Sequence, residues 1–325
     1  MCNNIKILIT GGSGFIGSYL INKLLELDYD NLLFCDIKEP QIPSHVPYFR
    51  NVSILDFHNL ANLFLDFKPN IVIHLAALTD TSPSFSFNDY NVNTVGTLNL
   101  LNCCEQTNSI TQLIVTSTQF VNQYNGIPKN EFDFAPHTVY GISKIISEFL
   151  VHSKKFDFCW TIIRPTNIWG PRHPRYPKEF WSVLQKGLYI HPGRNKVIRS
   201  YGYVGNVVDQ IFKLMSVNTD LINRKVFYVG DYPINLLDWV NEFSLKLNKK
   251  KVLIVPRSVV YLLAKMGDLF NLFNLKFPIN SSRYKSMTNS NFVDMAPTFA
   301  ILGQPKYSLE EGVDETIDWL LSNKS

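Results

Sequence analysis

The sequence contains few cysteines, and no two of them form a C-x-x-C pair. The five cysteines are Cys2, Cys35, Cys103, Cys104 and Cys159. This usage does not indicate a metal site, so we expect no bound metal and a reduced, cytoplasmic setting. An apolar run begins as early as Ile5, so no signal peptide is expected either.

Long uninterrupted apolar runs are absent as well. The most apolar stretch late in the chain covers residues 259–275, and Lys265, Asp268 and Asn271 interrupt it. That spacing favours an amphipathic helix over a membrane span. A role at a membrane surface is the less favoured alternative for this stretch.

Charge is scarce and nearly balanced. Charged residues make up 18% of the chain, apolar residues make up 46%, and the net charge is +4. These values exclude a disordered chain and give no indication of a nucleic-acid partner, although they suit an anionic small molecule. The densest basic run, Lys249 to Lys251 with Lys246 before it, is interpreted as a solvated loop preceding a short strand at 252–255.

Apolar runs alternate with helix-like stretches over the first half of the chain. The runs cover 5–9, 31–35, 71–76, 112–117 and 158–163, and the helical stretches cover 14–27, 57–67, 89–107 and 138–154. This alternation predicts an α/β fold, a Rossmann doubly wound parallel sheet at residues 1–165. Residues 166–325 are expected to form mainly a smaller C-terminal α/β substrate lobe, with some segments returning to the Rossmann part. Prolines multiply after Pro165, which is typical of ligand-binding segments.

A glycine-rich turn follows the first apolar run. Gly11 allows a tight turn, Gly14 lets the backbone approach a pyrophosphate, and Gly17 lets the following helix pack on the strand. The start of that helix offers unpaired N–H groups to a phosphate. The pattern favours a dinucleotide site over the alternative of an ordinary turn.

An acidic residue at the end of the second run favours a particular dinucleotide. Asp36 lies about twenty residues after the last glycine, where an acid accepts the two ribose hydroxyls of NAD. The carboxylate would repel the 2′-phosphate of NADP. NAD is therefore expected and NADP is the less favoured cofactor, although the nearby Lys38 reduces this preference.

A Tyr-x-x-x-Lys pair lies in the predicted helix at 138–154. Tyr140 and Lys144 are four residues apart and share a helix face. The ammonium and the positive nicotinamide ring would lower the pKa of the phenol and make it a base. Thr118, at the carboxyl end of a predicted strand, would hold the reacting oxygen. The alternatives are a chance tyrosine–lysine pair and, for Thr116 and Ser117, simple capping of the strand.

These segments together resemble the extended short-chain dehydrogenase/reductase family, in its sugar-nucleotide epimerase/dehydratase branch. The matching segments are 10–17, Asp36, 74–77, 93–97, Thr118, 140–144 and 164–171. Segments 199–201 and 302–312 match the family pattern more weakly. His74 is a strand-end position in this pattern, so we do not assign it an acid–base role.

The resemblance implies roles for individual residues. The catalytic residues implied are Thr118, Tyr140 and Lys144. The cofactor-binding residues implied are Gly11, Gly14, Phe15, Ile16, Gly17, Asp36, Ile37, Ile54, Leu75, Ala76, Ala77, Asn93, Thr116, Tyr140, Lys144, Pro165 and Thr166. The substrate-binding residues implied are Thr79, Gln119, Asn167 and Arg199.

Two departures from the family pattern bear on the reaction and on cofactor binding. Dehydratases of the family carry an acidic pair after the hydroxyl residue of the fifth strand, whereas this chain has Gln119-Phe120 there, so elimination of water is not expected. In the family, an acidic residue often contacts adenine at this position. This chain has Ile54 there, so a weaker contact with adenine is expected.

The function expected from the resemblance is an NAD-dependent epimerase of a nucleotide-activated sugar, working through transient hydride transfer and a keto-sugar intermediate. An NAD(P)-dependent 4-ketoreductase or dehydrogenase of a deoxy-sugar nucleotide is the alternative, and a non-catalytic dinucleotide-sensing protein is a distant one. A homodimer is expected through the helices near 89–107 and 138–154. Its apolar surface would come from Ile145, Ile146, Phe149 and Leu150, which could equally face the sheet.

Overall fold

A computed structural model describes residues 4–82, 84–122, 128–273, 275 and 277–323. Cys2 lies outside these residues. The strands are β1 (Ile7–Thr10), β2 (Leu32–Asp36), β3 (Phe49–Asn51), β4 (Ile71–His74), β5 (Gln112–Thr116), β6 (Cys159–Pro165), β7 (Asn167–Trp169), β8 (Ile190–Pro192), β9 (Ile198–Arg199), β10 (Tyr201–Tyr203), β11 (Lys225–Val229), β12 (Ile234–Asn235) and β13 (Leu253–Val255). The α-helices are α1 (Phe15–Glu26), α2 (Phe57–Phe67), α3 (Asn91–Glu105), α4 (Val139–Ser153), α5 (Ser182–Gln185), α6 (Val204–Leu214), α7 (Leu236–Asn248), α8 (Arg257–Leu272), α9 (Ser281–Thr288), α10 (Ala296–Leu302) and α11 (Leu309–Ser322).

A seven-stranded parallel sheet forms the centre of the molecule. Its strand order is β11-β6-β5-β4-β1-β2-β3, and every neighbouring pair runs parallel. Helices cover both faces, which explains why the central strands are continuously apolar instead of alternating. In β1, Ile7 and Ile9 enter one buried cluster and Leu8 enters the other. The predicted doubly wound Rossmann sheet is confirmed.

The strand order reverses at β1, which lies between β2 and β4. In open parallel sheets, ligands bind in the crevice beyond the carboxyl ends of the strands at such a reversal. The glycine turn follows β1, Asp36 ends β2 and Thr118 follows β5. The fold therefore gathers these sequence motifs along a single edge.

The chain after β6 forms a second layer and also returns to the main sheet. The predicted boundary at residue 165 falls at the end of β6, yet β11 pairs with β6 and α6 packs on α1. The remaining short strands pair as β7–β10, β8–β13 and β9–β12. A cluster of large aromatic side chains fills the interior of this layer. Its members include Trp169, Phe180, Tyr201, Trp239 and Phe243.

The amphipathic helix expected within 259–275 corresponds to α8. No helix in the described ranges is long and apolar enough to cross a membrane. Cys35, Cys103, Cys104 and Cys159 are free and buried. Among the described residues, no group of His, Cys, Asp and Glu is arranged to hold a metal ion.

A buried ion pair fastens α4 to β6. The Arg164 guanidinium donates to the Glu148 carboxylate through Nε at 2.9 Å and Nη2 at 2.7 Å, and both side chains are 1% exposed. Ser117, just after β5, donates to the same carboxylate. Arg164 also donates to the Tyr228 hydroxyl at 3.2 Å. The pair thus joins one helix to three neighbouring strands of the sheet.

Replacing one partner of this pair is expected to destabilise the protein strongly. Removing one member of a buried ion pair leaves the other charge without compensation, so Arg164→Ala should lower the free energy of unfolding by about 3–5 kcal/mol. Urea denaturation followed by circular dichroism measures the change. Glu105→Ala, which breaks the more exposed pair with Lys154, should change it by only about 0–1 kcal/mol. Equal effects of the two substitutions would contradict the assignment.

Candidate active site

The glycine turn after β1 has the shape that its sequence predicts. Gly11 has φ +75°, and a Cβ there would lie 2.5 Å from the amide nitrogen of Ala76, so a larger residue does not fit. A Cβ at Gly17 would collide with the Gly11 carbonyl oxygen. Gly14 precedes α1, and no side chain caps that end of the helix. The first N–H groups of α1 therefore remain available to an anion.

Phe15 and Ile16 occupy the first turn of α1. The ring of Phe15 makes an edge-to-face contact with His173, with ring centroids 5.0 Å apart. Ile16 packs against the core beneath the sheet edge. This contact joins the glycine turn to the proline-rich segment that follows β7.

Asp36 closes the other side of the turn. Its carboxylate accepts the Ser13 N–H at 3.1 Å and the Lys38 N–H at 3.0 Å. The side chain of Ile37, which lies between Asp36 and Lys38 in the sequence, is exposed. The carboxylate is therefore held at the carboxyl end of β2 by main-chain donors from both sides.

The segment after β4 is held in place by Asn93 of α3. The Asn93 amide accepts the Leu78 N–H at 2.8 Å and donates to the Leu78 carbonyl at 3.0 Å and to Ser143 Oγ at 2.9 Å. Leu75, Ala76 and Ala77 lie in this segment, directly beyond β4. Since its amide groups are engaged within the protein, Asn93 positions the segment against α4.

The candidates Thr79 and Ile54, and the strand-end residue His74, have different surroundings. Thr79 is exposed in the segment after β4. The Ile54 side chain is buried in the core and packs beside Gly96, so its main chain alone is left to contact a ligand. His74 is buried between the hydroxyls of Thr10 at 2.7 Å and Thr97 at 3.1 Å, and burial lowers its pKa to about 3. A neutral imidazole in such a setting supports the interpretation of His74 as a strand-end residue.

Tyr140 and Lys144 project from the first turns of α4. The helix begins where the Thr138 hydroxyl accepts the Gly141 N–H at 3.0 Å. The ring of Tyr140 lies between those of Tyr90 and Phe120, each 6.2 Å away between centroids. Tyr140 is 6% exposed, so the phenol lies in a largely dry site.

Burial dominates the pKa values of both groups. It raises the pKa of Tyr140 to about 12, against opposing effects of a hydrogen bond with Thr118 and the charge of Arg175. It lowers the pKa of Lys144 to about 8, opposed by the nearby Glu148 carboxylate. The protein alone therefore favours the neutral phenol.

In the protein without cofactor, the groups that lower the pKa of the Tyr140 phenol are Thr118 and Arg175. The lowering by the Lys144 ammonium beside a bound nicotinamide ring stays a prediction. The charge of Lys144 acts on His74, whose pKa it helps to depress. The spacing on one helix face predicted that Tyr140 and Lys144 share a side of α4, but it did not reveal how strongly burial would shift both pKa values.

Several buried polar atoms at this edge have no partner within the described part of the chain. They are Thr116 Oγ1, Gln119 Nε2 and Oε1, Lys144 Nζ and Thr166 Oγ1. A buried polar group without a hydrogen bond costs about 1–3 kcal/mol, so a group of them signals a ligand. Pro165 ends β6 beside Thr166, whose N–H donates to the Val229 carbonyl at 3.0 Å.

Asn167 and Arg199 lie in neighbouring segments on the C-terminal side of the edge. The Asn167 N–H donates to the Ser200 carbonyl at 3.4 Å, which places β7 beside the residue that follows Arg199. Arg199 Nη1 donates to the carbonyls of Ser286 and Asn289, each at 3.4 Å. The guanidinium is thus fixed by α9 and by the residue that ends it.

The sequence interpretation missed Arg175 and His173. Arg175 lies close enough for its charge to act on Tyr140 and His173, and His173 stacks on Tyr176 at 4.2 Å between centroids. The run of prolines pointed to this segment as a binding region. It could not reveal which of its side chains would face α4, because that depends on the path of an irregular loop.

The residues along this edge fit a bound dinucleotide. The tight glycine turn and the uncapped start of α1 suit a diphosphate, and the Asp36 carboxylate suits a ribose diol. The unpartnered Lys144 ammonium and the Thr116 and Thr166 hydroxyls would supply further polar contacts.

Comparison with known proteins agrees with this geometry. The pattern of the NAD dependent epimerase/dehydratase family matches residues 7–230. A Dictyostelium discoideum dTDP-D-glucose 4,6-dehydratase is 34% identical over 279 residues, which cover 72% of this chain and only 60% of that protein. An Escherichia coli O157:H7 protein, N-acetyl-alpha-D-glucosaminyl-diphospho-ditrans,octacis-undecaprenol 4-epimerase, is 26% identical, with 97% of this chain and 95% of that protein covered.

Solved structures show the same fold. The Thermotoga maritima UDP-glucose 4-epimerase with UDP-glucose has a TM-score of 0.75 at 23% identity and covers 99% of this chain and 100% of its own. The Bacillus cereus UDP-glucuronic acid 4-epimerase with UDP-glucuronic acid and NAD has a TM-score of 0.73 at 22% identity, covering 98% and 99%. At these identities the likeness concerns the fold alone.

The Asp36 carboxylate should determine the choice between NAD and NADP. Hydrogen bonds to a charged group contribute about 1.5–3 kcal/mol, so Asp36→Asn should weaken NAD binding by about tenfold or more and reduce its advantage over NADP. Titration calorimetry with each dinucleotide measures both changes. Asp30→Asn, an exposed position before β2, should bind both as the wild type does. An unchanged NAD affinity in Asp36→Asn would remove this carboxylate from the site.

Proposed function

The chain belongs to the NAD-dependent epimerase/dehydratase family, and from that premise we propose that it is an NAD-dependent epimerase of a nucleotide-activated sugar. Relatives of both kinds are found, since the E. coli protein is named an epimerase and the Dictyostelium protein a dehydratase. The choice between the two reactions therefore depends on this chain's own residues.

The proposal of an epimerase is based on the side chain of Gln119. Elimination of water needs an acid and a base that act on neighbouring sugar carbons. Directly after Thr118 this chain presents the amide of Gln119 and the ring of Phe120, neither of which titrates. Gln119 is 3% exposed, and neither atom of its amide has a partner within the described ranges. An amide placed in this way can hydrogen-bond a sugar hydroxyl but cannot move a proton.

In the proposed reaction, Tyr140 takes the proton from a sugar hydroxyl while Thr118 holds the same oxygen. The glycine turn after β1, Asp36 and Lys144 would hold NAD, which would supply reversible hydride chemistry at the sugar carbon. The keto sugar would turn over between removal and return of the hydride, and Tyr140 would then return the proton to the sugar oxygen. Protons and electrons balance within one cycle, so no net change in the cofactor remains.

The pKa of Tyr140 explains why the reaction would need the cofactor in place first. Burial keeps the phenol protonated in the protein alone. A positive nicotinamide ring in the same dry site would favour the phenolate, as an opposite charge within a few ångströms does. Thr118 and Arg175 act in the same direction, so the base would form only in the loaded site.

The substrate is proposed from the polar groups on the C-terminal side. Arg199 and Asn167 lie in neighbouring segments there and would meet a diphosphate, and the Gln119 amide would meet the sugar. The solved UDP-sugar epimerases support a nucleoside carrier, whereas the name of the E. coli relative indicates a polyprenyl diphosphate carrier. We propose the nucleotide sugar.

We also propose a cytoplasmic homodimer. The α3 and α4 helices pack side by side and leave several apolar side chains exposed. These are Val95, Leu98, Ile142 and Phe149, while Ile145, Ile146 and Leu150 are partly buried. Such a surface suits a four-helix contact with a second copy, and the four free, buried cysteines suit a reducing compartment.

The reaction itself is the first test. The purified protein, offered a panel of UDP- and dTDP-sugars and a polyprenyl diphosphate sugar, should convert one of them to its epimer by NMR. The absorbance of reduced nicotinamide should show no net change. Tyr140→Phe should lower turnover by about 10²–10⁴-fold, the usual contribution of a positioned base. Net reduction or oxidation of the cofactor would indicate a ketoreductase or dehydrogenase, and loss of water would indicate a dehydratase. Activity unaffected by Tyr140→Phe would remove the phenol from the mechanism.

The pH dependence provides a second test. The phenolate is the active form, so kcat/KM should rise with pH towards the pKa of Tyr140. Because the Thr118 hydrogen bond lowers that pKa, Thr118→Val should raise it and move the rising limb to higher pH. Thr118→Ser keeps a hydroxyl and should restore the wild-type profile. A Thr118→Val profile that only falls in height, without a shift along the pH axis, would contradict the assignment.

A further inference from the structure

The outward face of α8 is apolar, although a surface helix normally places polar side chains there. Val260 and Ala264 on the inner face are buried. The outward side chains form a row with spacings of three and four residues, which we call the outer stripe. The outer stripe consists of Val259, Leu262, Met266, Leu269 and Phe273, which are 43% to 69% exposed. Contiguous exposed apolar surface of this kind marks an interaction site.

Positive charge is concentrated around the outer stripe. Residues 249–288 hold eight basic residues and one acidic residue, a net charge of +7, whereas the whole chain carries +4. The remainder of the chain is therefore negative, at −3. The acidic exception, Asp268, accepts the Ser281 N–H at 3.0 Å and so caps α9.

The exposed basic side chains lie on the elements next to the outer stripe. Lys249, Lys250 and Lys251 precede β13, which leads into α8, and all three are exposed. Lys265 lies within α8, with its side chain 52% exposed. Arg283 and Lys285 are exposed on α9, which packs against α8. A row of apolar side chains bordered by lysine and arginine is the composition of a helix that lies in a membrane interface.

We propose that α8 docks on an anionic membrane surface, with the outer stripe in the acyl boundary and the flanking basic residues at the lipid headgroups. A second copy of the chain would be a poorer occupant of this face, because it would bring the same concentrated positive charge against itself. An anionic bilayer matches both the apolar row and the charge.

The proposed surface is linked to the substrate side of the molecule. The helix that packs on α8 is α9, and the carbonyl of Ser286 in α9 accepts from Arg199. β13, which leads into α8, pairs with β8 of the substrate lobe. Docking through α8 would thus hold the C-terminal layer against the bilayer and leave α3 and α4 free for the proposed dimer.

Sedimentation with lipid vesicles tests the proposal independently of catalysis. The wild-type protein should bind phosphatidylcholine vesicles containing about one third phosphatidylglycerol, and added salt should weaken the binding by screening the headgroup charge. The triple variant Leu262→Ser, Leu269→Ser, Phe273→Ser should bind at least about tenfold more weakly. Lys249→Gln, Lys250→Gln, Lys251→Gln should lose the preference for anionic over neutral vesicles.

A matched control uses two leucines that are as exposed as those of the outer stripe but lie elsewhere on the molecule. Leu65→Ser with Leu188→Ser removes side chains that are 64% and 67% exposed, outside residues 249–288, and should bind vesicles as the wild type does. Thermal melting checks that every variant remains folded. Failure of the wild type to bind anionic vesicles, or undiminished binding by the triple serine variant, would overturn the proposal. So would a fall in molar mass of the triple variant by sedimentation equilibrium, which would assign the outer stripe to a second copy.

Discussion

The buried ion pair between Glu148 and Arg164 fixes the helix that carries the proposed reactive side chains. Tyr140, Lys144 and Glu148 follow one another at intervals of four residues, so they lie along one face of α4. Arg164 holds the last of them on β6, and Ser117 holds the same carboxylate from the end of β5. Asn93 adds a second attachment through Ser143. A shift of α4 would break this pair, which gives the phenol a fixed position relative to Thr118.

The same burial that fixes these groups also determines their charge. Tyr140 and Lys144 are buried, and burial favours the neutral forms of both groups relative to free side chains. Glu148 offsets part of this effect for Lys144, while Thr118 and Arg175 offset part of it for Tyr140. The protonation states of these groups would therefore depend on charges brought by a ligand. The buried polar atoms without hydrogen-bond partners are available to bind such a ligand.

Much of this arrangement could be predicted from the sequence, because its signals are local. The glycine spacing, the acid at the end of β2 and the Tyr140–Lys144 interval each depend on a single strand, turn or helix. The sheet then brings them to one edge through parallel register alone. What the sequence could not reveal depends on tertiary packing. The approach of Arg175, the burial of the Ile54 side chain and the outward face of α8 all follow from how distant segments meet, as does the rise in the pKa of Tyr140.

The proposed choice of epimerisation over elimination is argued from the Gln119 amide and not from the fold. Proteins of this fold carry out both epimerisation and elimination, so architecture alone cannot separate the two. Elimination requires protons to move at two carbons, whereas epimerisation needs one titratable group and one hydroxyl at a single carbon. In the proposed reaction Tyr140 and Thr118 would provide that pair, and Gln119 beside them has hydrogen-bonding groups but no titratable proton. Such a site would return a substrate's proton to the oxygen that lost it, which is why we propose epimerisation and not elimination.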